Sequence, residues 1–370
     1  MLNDESVDAD AYRNRPEWND WTWQMQRCIR TANQLESWIK ITPDERKAID
    51  NIKGKYQWRI TPYYASLMDP VDPRCPIRLQ AVPAGAEMAP FPDAEVDPVG
   101  DTYYRKTNRI IHKYPDRALF LITSVCPVYC RHCTRKYHTS DLKGSYFGEA
   151  EGASFEQDYA YIESHTEIRD IILSGGDPLT YGDRRLEEIL KRLRSIRHVE
   201  IIRVGSRYPV FLPMRITKEF CQMLSRYHPI WFQTHFNHPK EITQDAAAAC
   251  DRLLSHGIPV QNQTVLLKGI NDNIDAIRAL MTGLQTIRVR PYYLFHCDNV
   301  AGVSHFMTTI AKGREIMRAL LGYSTGFSSP KYVLTTRLGK IPLTEEYASS
   351  TDNGYRVTNY LGQTMDIRHV

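Results

Sequence analysis

Short β-branched segments alternate with longer segments of helical period from residue 118 onward, and this alternation constrains the fold more than any other feature of the chain. The helical segments, for example 185–196 and 218–227, carry their apolar residues mainly on one face. Strands that alternate with helices in this way pair in parallel. The sequence therefore predicts an α/β protein, a partial (β/α)6 barrel with strands at residues 118–125, 168–174, 199–204, 230–236, 260–267 and 287–295.

The segments on either side of this alternating region have different compositions. Residues 17–60 have helical spacing and closely spaced tryptophans, which predict an N-terminal helical cap. Residues 69–100 are interrupted by repeated prolines, which predict an extended connection across the surface. A strand-like segment at 332–335 and the last thirty residues predict a short β-rich tail. We expect three parts, namely cap and connection (1–110), barrel (111–325) and C-terminal segment (326–370).

Composition limits the class of partner. Of the 370 residues, 42% are hydrophobic and 24% are charged, which is typical of a globular protein with a sizeable core. The formal net charge of +4 is close to balance, so nucleic-acid binding is not expected. No apolar run is long enough to span a membrane, and the acidic residues 1–10 do not resemble a signal peptide. We therefore expect a cytoplasmic protein whose ligand is a small molecule.

Three of the eight cysteines form one compact motif. Cys126, Cys130 and Cys133 have the spacing C-x3-C-x2-C, whereas the other five cysteines are scattered singly. Zinc sites and complete iron–sulfur sites usually take four protein ligands, and no fourth cysteine lies nearby in the sequence. A [4Fe–4S] cluster held by three thiolates leaves one iron open to a ligand from outside the protein. The alternative is a zinc site completed by His132 or His138.

Polar residues follow four of the predicted strands at their carboxyl ends. The cysteine motif follows the first strand, and the segments 174–177, 205–207 and 234–238 follow the next three. In parallel barrels the loops at this end of the strands carry the reactive groups. We therefore expect these four loops to meet at one rim of the barrel and to form the functional site.

A three-cysteine loop after the first barrel strand resembles the signature of the radical S-adenosylmethionine (SAM) enzymes. In that superfamily the open iron binds the amino and carboxyl groups of SAM, and a Gly-Gly-acid motif follows the second strand. Ser174, Gly175, Gly176 and Asp177 stand at that place in this sequence. The resemblance implies that these residues help to bind SAM, since glycines let the backbone approach a ligand closely.

One family of that superfamily is similar to the chain over about nine-tenths of its length. Its motifs include YCRHCTR at 129–135, LSGGDPL at 173–179 and Gly-Lys at 339–340, with further matching segments at 60–70, 112–136, 231–243, 262–272 and 287–298. The chain resembles the lysine 2,3-aminomutases, which are isomerases that move an amino group from the α to the β carbon. The resemblance implies three cofactors, namely a [4Fe–4S] cluster, SAM and pyridoxal 5′-phosphate.

The resemblance also implies roles for individual residues. Lys340 is implied to be the catalytic lysine, which holds the aldehyde of pyridoxal phosphate as a resting Schiff base. Lys113, Tyr114 and Arg117 are implied to bind the phosphate of that cofactor. Gln263 matches a position that the family uses near SAM.

The substrate site resembles the family's only in part. Arg135 matches the residue that meets the substrate α-carboxylate, for which its planar guanidinium is suited. Asp298 matches the first of two aspartates that hold the distal ammonium of the substrate in lysine-specific members. The position of the second aspartate corresponds to about Thr335 in this chain, beside Arg337. One retained carboxylate predicts a cationic substrate, L-lysine or L-arginine. An acidic or small amino acid (glutamate, aspartate or alanine) is the alternative, because Arg337 is a candidate partner for an acidic substrate.

The family resemblance extends to partners. It implies an external electron donor of the flavodoxin or ferredoxin type and a homo-oligomer, whereas the C-terminal cysteine tail that binds a structural zinc in longer members is missing, and no zinc is expected. Competing interpretations are an Fe–S electron carrier or metal-binding structural protein, a non-radical pyridoxal-phosphate enzyme, and an enzyme that modifies a lysine of a partner protein. An electron carrier or structural protein leaves Lys340 and Arg135 unexplained. A non-radical pyridoxal-phosphate enzyme needs no cluster, so it leaves the three-cysteine motif unexplained.

Overall fold

The computed structural model describes residues 12–91, 93–140 and 154–368. The acidic segment 1–10 therefore lies outside the described residues. Nine strands form one sheet in which the order in space follows the order along the chain. These strands are β1 (Ile110–Tyr114), β2 (Arg117–Thr123), β3 (Asp170–Gly175), β4 (Ile201–Gly205), β5 (Ile230–Thr234), β6 (Val260–Leu266), β7 (Arg290–His296), β8 (Lys331–Thr336) and β9 (Gly339–Pro342).

Strands β2 to β8 pair in parallel, and the edge strands β1 and β9 pair antiparallel with their neighbours. The predicted partial α/β barrel is confirmed, and its six predicted strands are β2 to β7. The segment predicted at 332–335 is a further parallel strand of the same sheet, with Phe295 opposite Val333. A short apolar run indicates a strand, but the sheet that it joins depends on contacts that are distant in sequence.

Helices between the strands cover the outside of the sheet. Several begin at a Thr or Asn whose side chain accepts a hydrogen bond from the first turn, as at Thr217, Thr243 and Asn273. The helices are α1 (Trp21–Gln26), α2 (Ala32–Glu36), α3 (Pro43–Asn51), α4 (Pro62–Ala65), α5 (Pro76–Ala81), α6 (Lys136–Thr139), α7 (Glu156–Ser164), α8 (Asp183–Arg194), α9 (Tyr208–Phe211), α10 (Lys218–Ser225), α11 (Gln244–Ser255), α12 (Ile274–Thr286) and α13 (Ile310–Leu320).

Alternate residues of the parallel strands have different environments. On β4, Ile202 and Val204 are buried in the main core, whereas Arg203 between them is half-buried. The same alternation occurs on β3, where Ile171 and Leu173 are the buried residues. Because successive side chains of a strand point to opposite faces, the half-buried set faces the inside of the barrel. The inside of the barrel is therefore lined in part by polar side chains, such as Arg203.

The N-terminal region agrees with the sequence prediction in one half and differs in the other. The predicted helical cap is confirmed by α1, α2 and α3. The predicted extended surface connection is wrong for residues 76–81, because these form the helix α5, which is largely buried and whose Arg78 donates from Nε to Glu45 Oε1 of α3 at 2.6 Å. Pro76 does not prevent this helix, because it occupies the first helical position, where no N–H is needed.

The end of the chain forms a second sheet. Strands β10 (Ala348–Thr351), β11 (Gly354–Thr358) and β12 (Thr364–Arg368) pair antiparallel, which confirms the predicted β-rich tail. Strands β8 and β9, from the predicted C-terminal segment, belong to the barrel sheet, and the three-part division of the chain stays a prediction. Within the described residues, no helix combines the length and apolar character needed to cross a membrane.

Candidate active site

The four predicted loops lie together at the carboxyl ends of the parallel strands, and Arg207 connects them. Its backbone nitrogen donates to Asp177 Oδ2 at 2.8 Å. Its side chain donates from Nε to the carbonyl of His235 at 2.7 Å and from Nη1 to Sγ of Cys130 at 3.1 Å. A residue after β4 thus bonds to the loops after β2, β3 and β5. The predicted rim is confirmed by these contacts.

Two glycines at the end of β3, Gly175 and Gly176, are required by neighbouring backbone. A Cβ on Gly175 would lie 2.1 Å from the carbonyl oxygen of Thr123, and one on Gly176 would lie 2.3 Å from that of Val125. The nitrogen of Gly176 donates to Thr123 at 2.6 Å, and that of Asp177 donates to Val125 at 2.8 Å. The space in which a Cβ would project is occupied by the backbone after β2. The glycines therefore serve close packing of the rim loops, a reason that the sequence pattern did not indicate.

The three motif cysteines have free, half-buried thiols, whereas the other five cysteines are buried. Burial raises the pKa of the Cys133 thiol to about 11 and that of Cys126 further above its usual range. His132, a candidate zinc ligand, accepts a hydrogen bond at Nε2 from Asn237 at 3.1 Å. Among the described residues, no three His, Cys, Asp or Glu side chains are gathered as a single metal ion requires.

Lys340 lies on β9, at the edge of the sheet opposite to β1. Its backbone nitrogen donates to Oη of Tyr114 at 2.7 Å, and Nζ of Lys113 donates to the carbonyl of Thr336 at 2.9 Å. Because β1 and β9 are not paired with each other, the Tyr114 bond connects the two edges of the sheet, and the Lys113 bond connects β1 to the end of β8. Gly339 has a φ of 109°, which favours glycine, and it turns the chain into β9 beside Tyr114.

The ammonium of Lys340 is surrounded by aromatic rings and cations. Its Nζ lies 4.8 Å from the ring centroid of Tyr293 and 5.2 Å from that of Phe295. Burial lowers the pKa of Lys340 to about 7, and the positive charges of Arg203 and Arg117 reinforce the effect. An amine with this pKa is a nucleophile near neutral pH. The concentration of cations around it makes this part of the cavity suitable for an anion.

The other predicted cofactor residues lie in the same cavity or at its seam. The guanidinium of Arg117 lies 3.9 Å from the ring centroid of Tyr114. Burial lowers the pKa of Lys113 to about 8, and its ammonium donates to two backbone carbonyls. Gln263 on β6 donates from Nε2 to Oε1 of Gln233 on the neighbouring β5 at 3.1 Å.

Asp298 follows β7, and one of its carboxylate oxygens has no partner among the described residues. Its Oδ2 accepts from Oγ1 of Thr134 at 2.6 Å, while Oδ1 is buried and has no hydrogen-bond partner in the described part of the chain. Burial raises the pKa of Asp298 to about 6, although Thr134 and Arg135 act against the shift. Arg337, which is the candidate partner for an acidic substrate, is exposed at the turn between β8 and β9.

Two acidic residues and one arginine of the site were not found from the sequence. Asp101 is 5% exposed and accepts from Nε of Arg135 at 2.7 Å. Arg203 on β4 donates from Nε to Oδ1 of Asp170 on β3 at 2.9 Å. Arg203 could have been found from the sequence, because it is a charged residue within an apolar strand. No local pattern distinguishes Asp101.

Comparison with known proteins identifies the family. The model of the Radical SAM superfamily matches residues 120–281. The L-lysine 2,3-aminomutase of Acetoanaerobium sticklandii is 41% identical over 345 residues, which cover 93% of this chain and 82% of that protein. The chain belongs to the lysine 2,3-aminomutase family. The L-lysine 2,3-aminomutase of Methanococcus maripaludis is 44% identical over 338 residues, with 90% of this chain and 77% of that protein covered.

A member of the aminomutase family with a different substrate is nearly as similar. The glutamate 2,3-aminomutase of Clostridioides difficile is 39% identical over 341 residues, with 92% of this chain and 80% of that protein covered. The chain is therefore a radical SAM amino acid 2,3-aminomutase, an isomerase, and its cofactors are a [4Fe–4S] cluster, SAM and pyridoxal phosphate. Overall similarity does not select the substrate side chain, which depends on individual residues of the site.

The site of this aminomutase suits these cofactors chemically. Three half-buried thiols on one loop supply soft sulfur donors, and a four-iron cluster binds each thiolate to a different iron, so the thiols need not be gathered around one point. The cations near Lys340 suit the phosphate of pyridoxal phosphate.

Proposed function

We propose that this aminomutase acts on a cationic amino acid, L-lysine or L-arginine, and releases the corresponding β-amino acid. The observation that carries the proposal is the buried Oδ1 of Asp298, which lacks a partner among the described residues. An unpaired buried carboxylate is costly, and the distal ammonium or guanidinium of such a substrate would supply the missing donor. Glutamate or aspartate would instead bring a second negative charge to Asp298.

The α-carboxylate of the substrate is proposed to bind Arg135. Its Nε is held by Asp101, and its other two nitrogens have no hydrogen bond within the described residues. A guanidinium that is anchored at Nε keeps its Nη edge free for two parallel hydrogen bonds to a carboxylate. Arg135 and Asp298 would then bind the two ends of one substrate molecule.

Lys340 is proposed as the residue that binds pyridoxal phosphate covalently through Nζ. Its lowered pKa keeps a large neutral fraction of the amine at neutral pH. Lys113, Tyr114 and Arg117 are proposed to receive the phosphate, and Arg203, which is paired with Asp170, lies nearby. When bound, pyridoxal phosphate supplies an aldehyde that holds the migrating nitrogen, and the cluster with SAM supplies a radical that takes hydrogen from the substrate.

The three cysteines Cys126, Cys130 and Cys133 are proposed as the protein ligands of the [4Fe–4S] cluster. Their half-buried state on one loop supports this role, because the cluster needs access for SAM. Five residues are proposed to contribute to SAM binding. Gln263 lies on the inner face of β6. The other four form the end of β3 and the loop that packs against the cysteine loop, and are Ser174, Gly175, Gly176 and Asp177.

The proposal is tested with anaerobically reconstituted, chemically reduced enzyme. Lysine, arginine, glutamate, aspartate and alanine are incubated separately, and β-amino acids are measured by chromatography and mass spectrometry. We expect lysine or arginine to be converted fastest, and Lys340→Ala to give no product with any of them. Faster conversion of glutamate, aspartate or alanine by the unmodified enzyme would refute the cationic substrate.

The reaction also needs partners. We propose an external one-electron donor of the flavodoxin or ferredoxin type, and a homo-oligomer on the basis of the family resemblance alone. All eight cysteines are free thiols, which suits the reducing conditions of a cytoplasmic location. Light scattering of the reconstituted enzyme measures the oligomeric state, and a single-chain mass would refute the homo-oligomer.

A further inference from the structure

Arg59 connects the N-terminal cap to the cysteine loop. It precedes α4, and its side chain donates from Nε to the backbone carbonyl of Cys126. The backbone carbonyl of Arg59 accepts from the nitrogen of Tyr129 at 3.3 Å, and its guanidinium lies 5.4 Å from the centre of that ring. A cation from outside the barrel is therefore held against the first part of the cysteine motif.

Within the described residues, the charge of Arg59 is not balanced by a carboxylate. The residue is 9% exposed, its Nη2 is buried without a hydrogen-bond partner, and the described residues include no ion pair with it. Burying such a charge without a partner is costly, and it indicates that an anion belongs beside it. Four other buried arginines each have a carboxylate partner, in the pairs Arg78–Glu45, Arg131–Glu87, Arg207–Glu241 and Arg215–Asp183.

Arg207 differs from Arg59 in this respect, although both lie beside motif cysteines. Arg207 donates to Sγ of Cys130, but its Nη2 is 2.8 Å from Oε1 of the buried Glu241. Glu241 largely neutralises the charge of Arg207, which then acts as a fixed hydrogen-bond donor. Arg59 remains the buried cation of the rim that lacks a counter-charge within the described residues.

We propose that Arg59 is the counter-charge of the [4Fe–4S] cluster and raises its reduction potential. Three thiolates give the cluster site a net negative charge, and one-electron reduction adds another negative charge. A nearby buried cation stabilises the reduced form more than the oxidised form, so it favours electron uptake. The electron comes from an external one-electron donor, and no bond forms or breaks in this step. The inference rests on the proposed role of Cys126, Cys130 and Cys133 as cluster ligands.

Arg59→Gln removes the charge and keeps a polar side chain, whereas Arg59→Lys keeps the charge. Each variant is reconstituted anaerobically without SAM, its iron and sulfide are counted, and the midpoint potential is measured by redox titration with paramagnetic resonance. We expect a lower midpoint for Arg59→Gln, corresponding to a tenfold or larger shift toward the oxidised cluster, or about 59 mV. Arg59→Lys should retain most of the unmodified enzyme's potential.

The matched control is Arg194→Gln. Arg194, on α8, also donates from Nε to a backbone carbonyl, that of Tyr227, at 2.8 Å. Its other guanidinium nitrogens donate to carbonyls that precede β4 and β5, at the end of the barrel opposite to the cysteine loop. Its substitution should leave the potential unchanged. An equal shift in Arg194→Gln, or no shift in an Arg59→Gln variant that contains full iron, would overturn the proposal.

Three further outcomes are decisive. If Arg59→Gln binds no iron while Arg59→Lys does, the cluster requires a positive charge at this position, which supports the proposal. If both fail to bind iron, Arg59 acts through its hydrogen bond to Cys126, and the proposal is wrong. An unchanged potential with weaker SAM binding would show that Arg59 serves the carboxylate of SAM and would also overturn it. Loss of iron in Cys126→Ala separately tests the ligand assignment.

Discussion

The phenolic oxygen of Tyr114 accepts a hydrogen bond from the backbone nitrogen of Lys340 at 2.7 Å, across 226 positions of the chain. The two residues lie on opposite edge strands of the nine-stranded sheet, β1 and β9. Since these edges are not paired with each other, the bond fixes the segment that carries Lys340 against the proposed phosphate-binding residues. The place of this lysine therefore depends on how the two edges of the sheet are brought together.

Tyr114→Phe should weaken this connection. The substitution leaves the N–H of Lys340 without its acceptor, which costs about 1–3 kcal/mol of folding free energy. We expect a lower urea midpoint and less pyridoxal phosphate retained after dialysis. Tyr103→Phe is the control, because Tyr103 is 81% exposed, and it should change neither quantity. Full cofactor retention in Tyr114→Phe would contradict the prediction.

Lys340 should carry pyridoxal phosphate and react at a lower pH than an exposed lysine. Because burial lowers its pKa from 10.5 to about 7, the neutral amine predominates above pH 7. Attachment of the cofactor to apoenzyme should therefore accelerate as the pH rises through about 7 and then level off. Borohydride reduction and peptide mapping should mark Lys340, and Lys340→Ala should lose the label but remain folded. A label on Lys113 or Lys331 would show that the assignment is wrong.

Replacement of any one motif cysteine, Cys126, Cys130 or Cys133, by Ala should abolish SAM cleavage. The measurements are iron content after anaerobic reconstitution and formation of 5′-deoxyadenosine with a chemical reductant. Cys250→Ala is the control, because this buried cysteine lies on α11 outside the motif, and it should keep iron and cleavage. Reconstituted protein that contains zinc and no iron would contradict the cluster assignment.

Asp298→Asn should raise the KM for the cationic substrate at least tenfold, which is about 1.4 kcal/mol of binding free energy. SAM cleavage should remain possible, because Asp298 is proposed to bind the distal end of the substrate. The control is Asp275→Asn, whose side chain is 95% exposed, and it should leave the KM unchanged. An unchanged KM in Asp298→Asn would refute the proposed contact.

The KM of the unmodified enzyme should also depend on pH. Burial raises the pKa of Asp298 to about 6, so its carboxylate is charged above that pH and becomes neutral below it. The KM for lysine or arginine should therefore rise as the pH falls through about 6. In Asp298→Asn this pH dependence should disappear. Its persistence would assign it to another group.

The sequence by itself determined the barrel, the cysteine motif and the family. These depend on local properties: the alternation of strand and helix periods, the spacing of three cysteines, and glycines such as Gly175 and Gly339. Such properties can be recognised without the fold because each is read from the order of residues along the chain. The helix α5 within the proline-rich segment 69–100 was not predicted, because local composition does not show that Arg78 is buried beside a carboxylate of α3.

Only the tertiary structure decided which distant residues meet. Asp101 contacts Arg135, Arg203 lies near Lys340, and Arg59 reaches Cys126 through packing of the cap and the sheet. The lowered pKa of Lys340 has the same origin, because burial and neighbouring charges exist only after the edges of the sheet have come together. Local patterns cannot contain this information, since electrostatic interactions and hydrogen bonds depend on distances in space and not on separation along the chain.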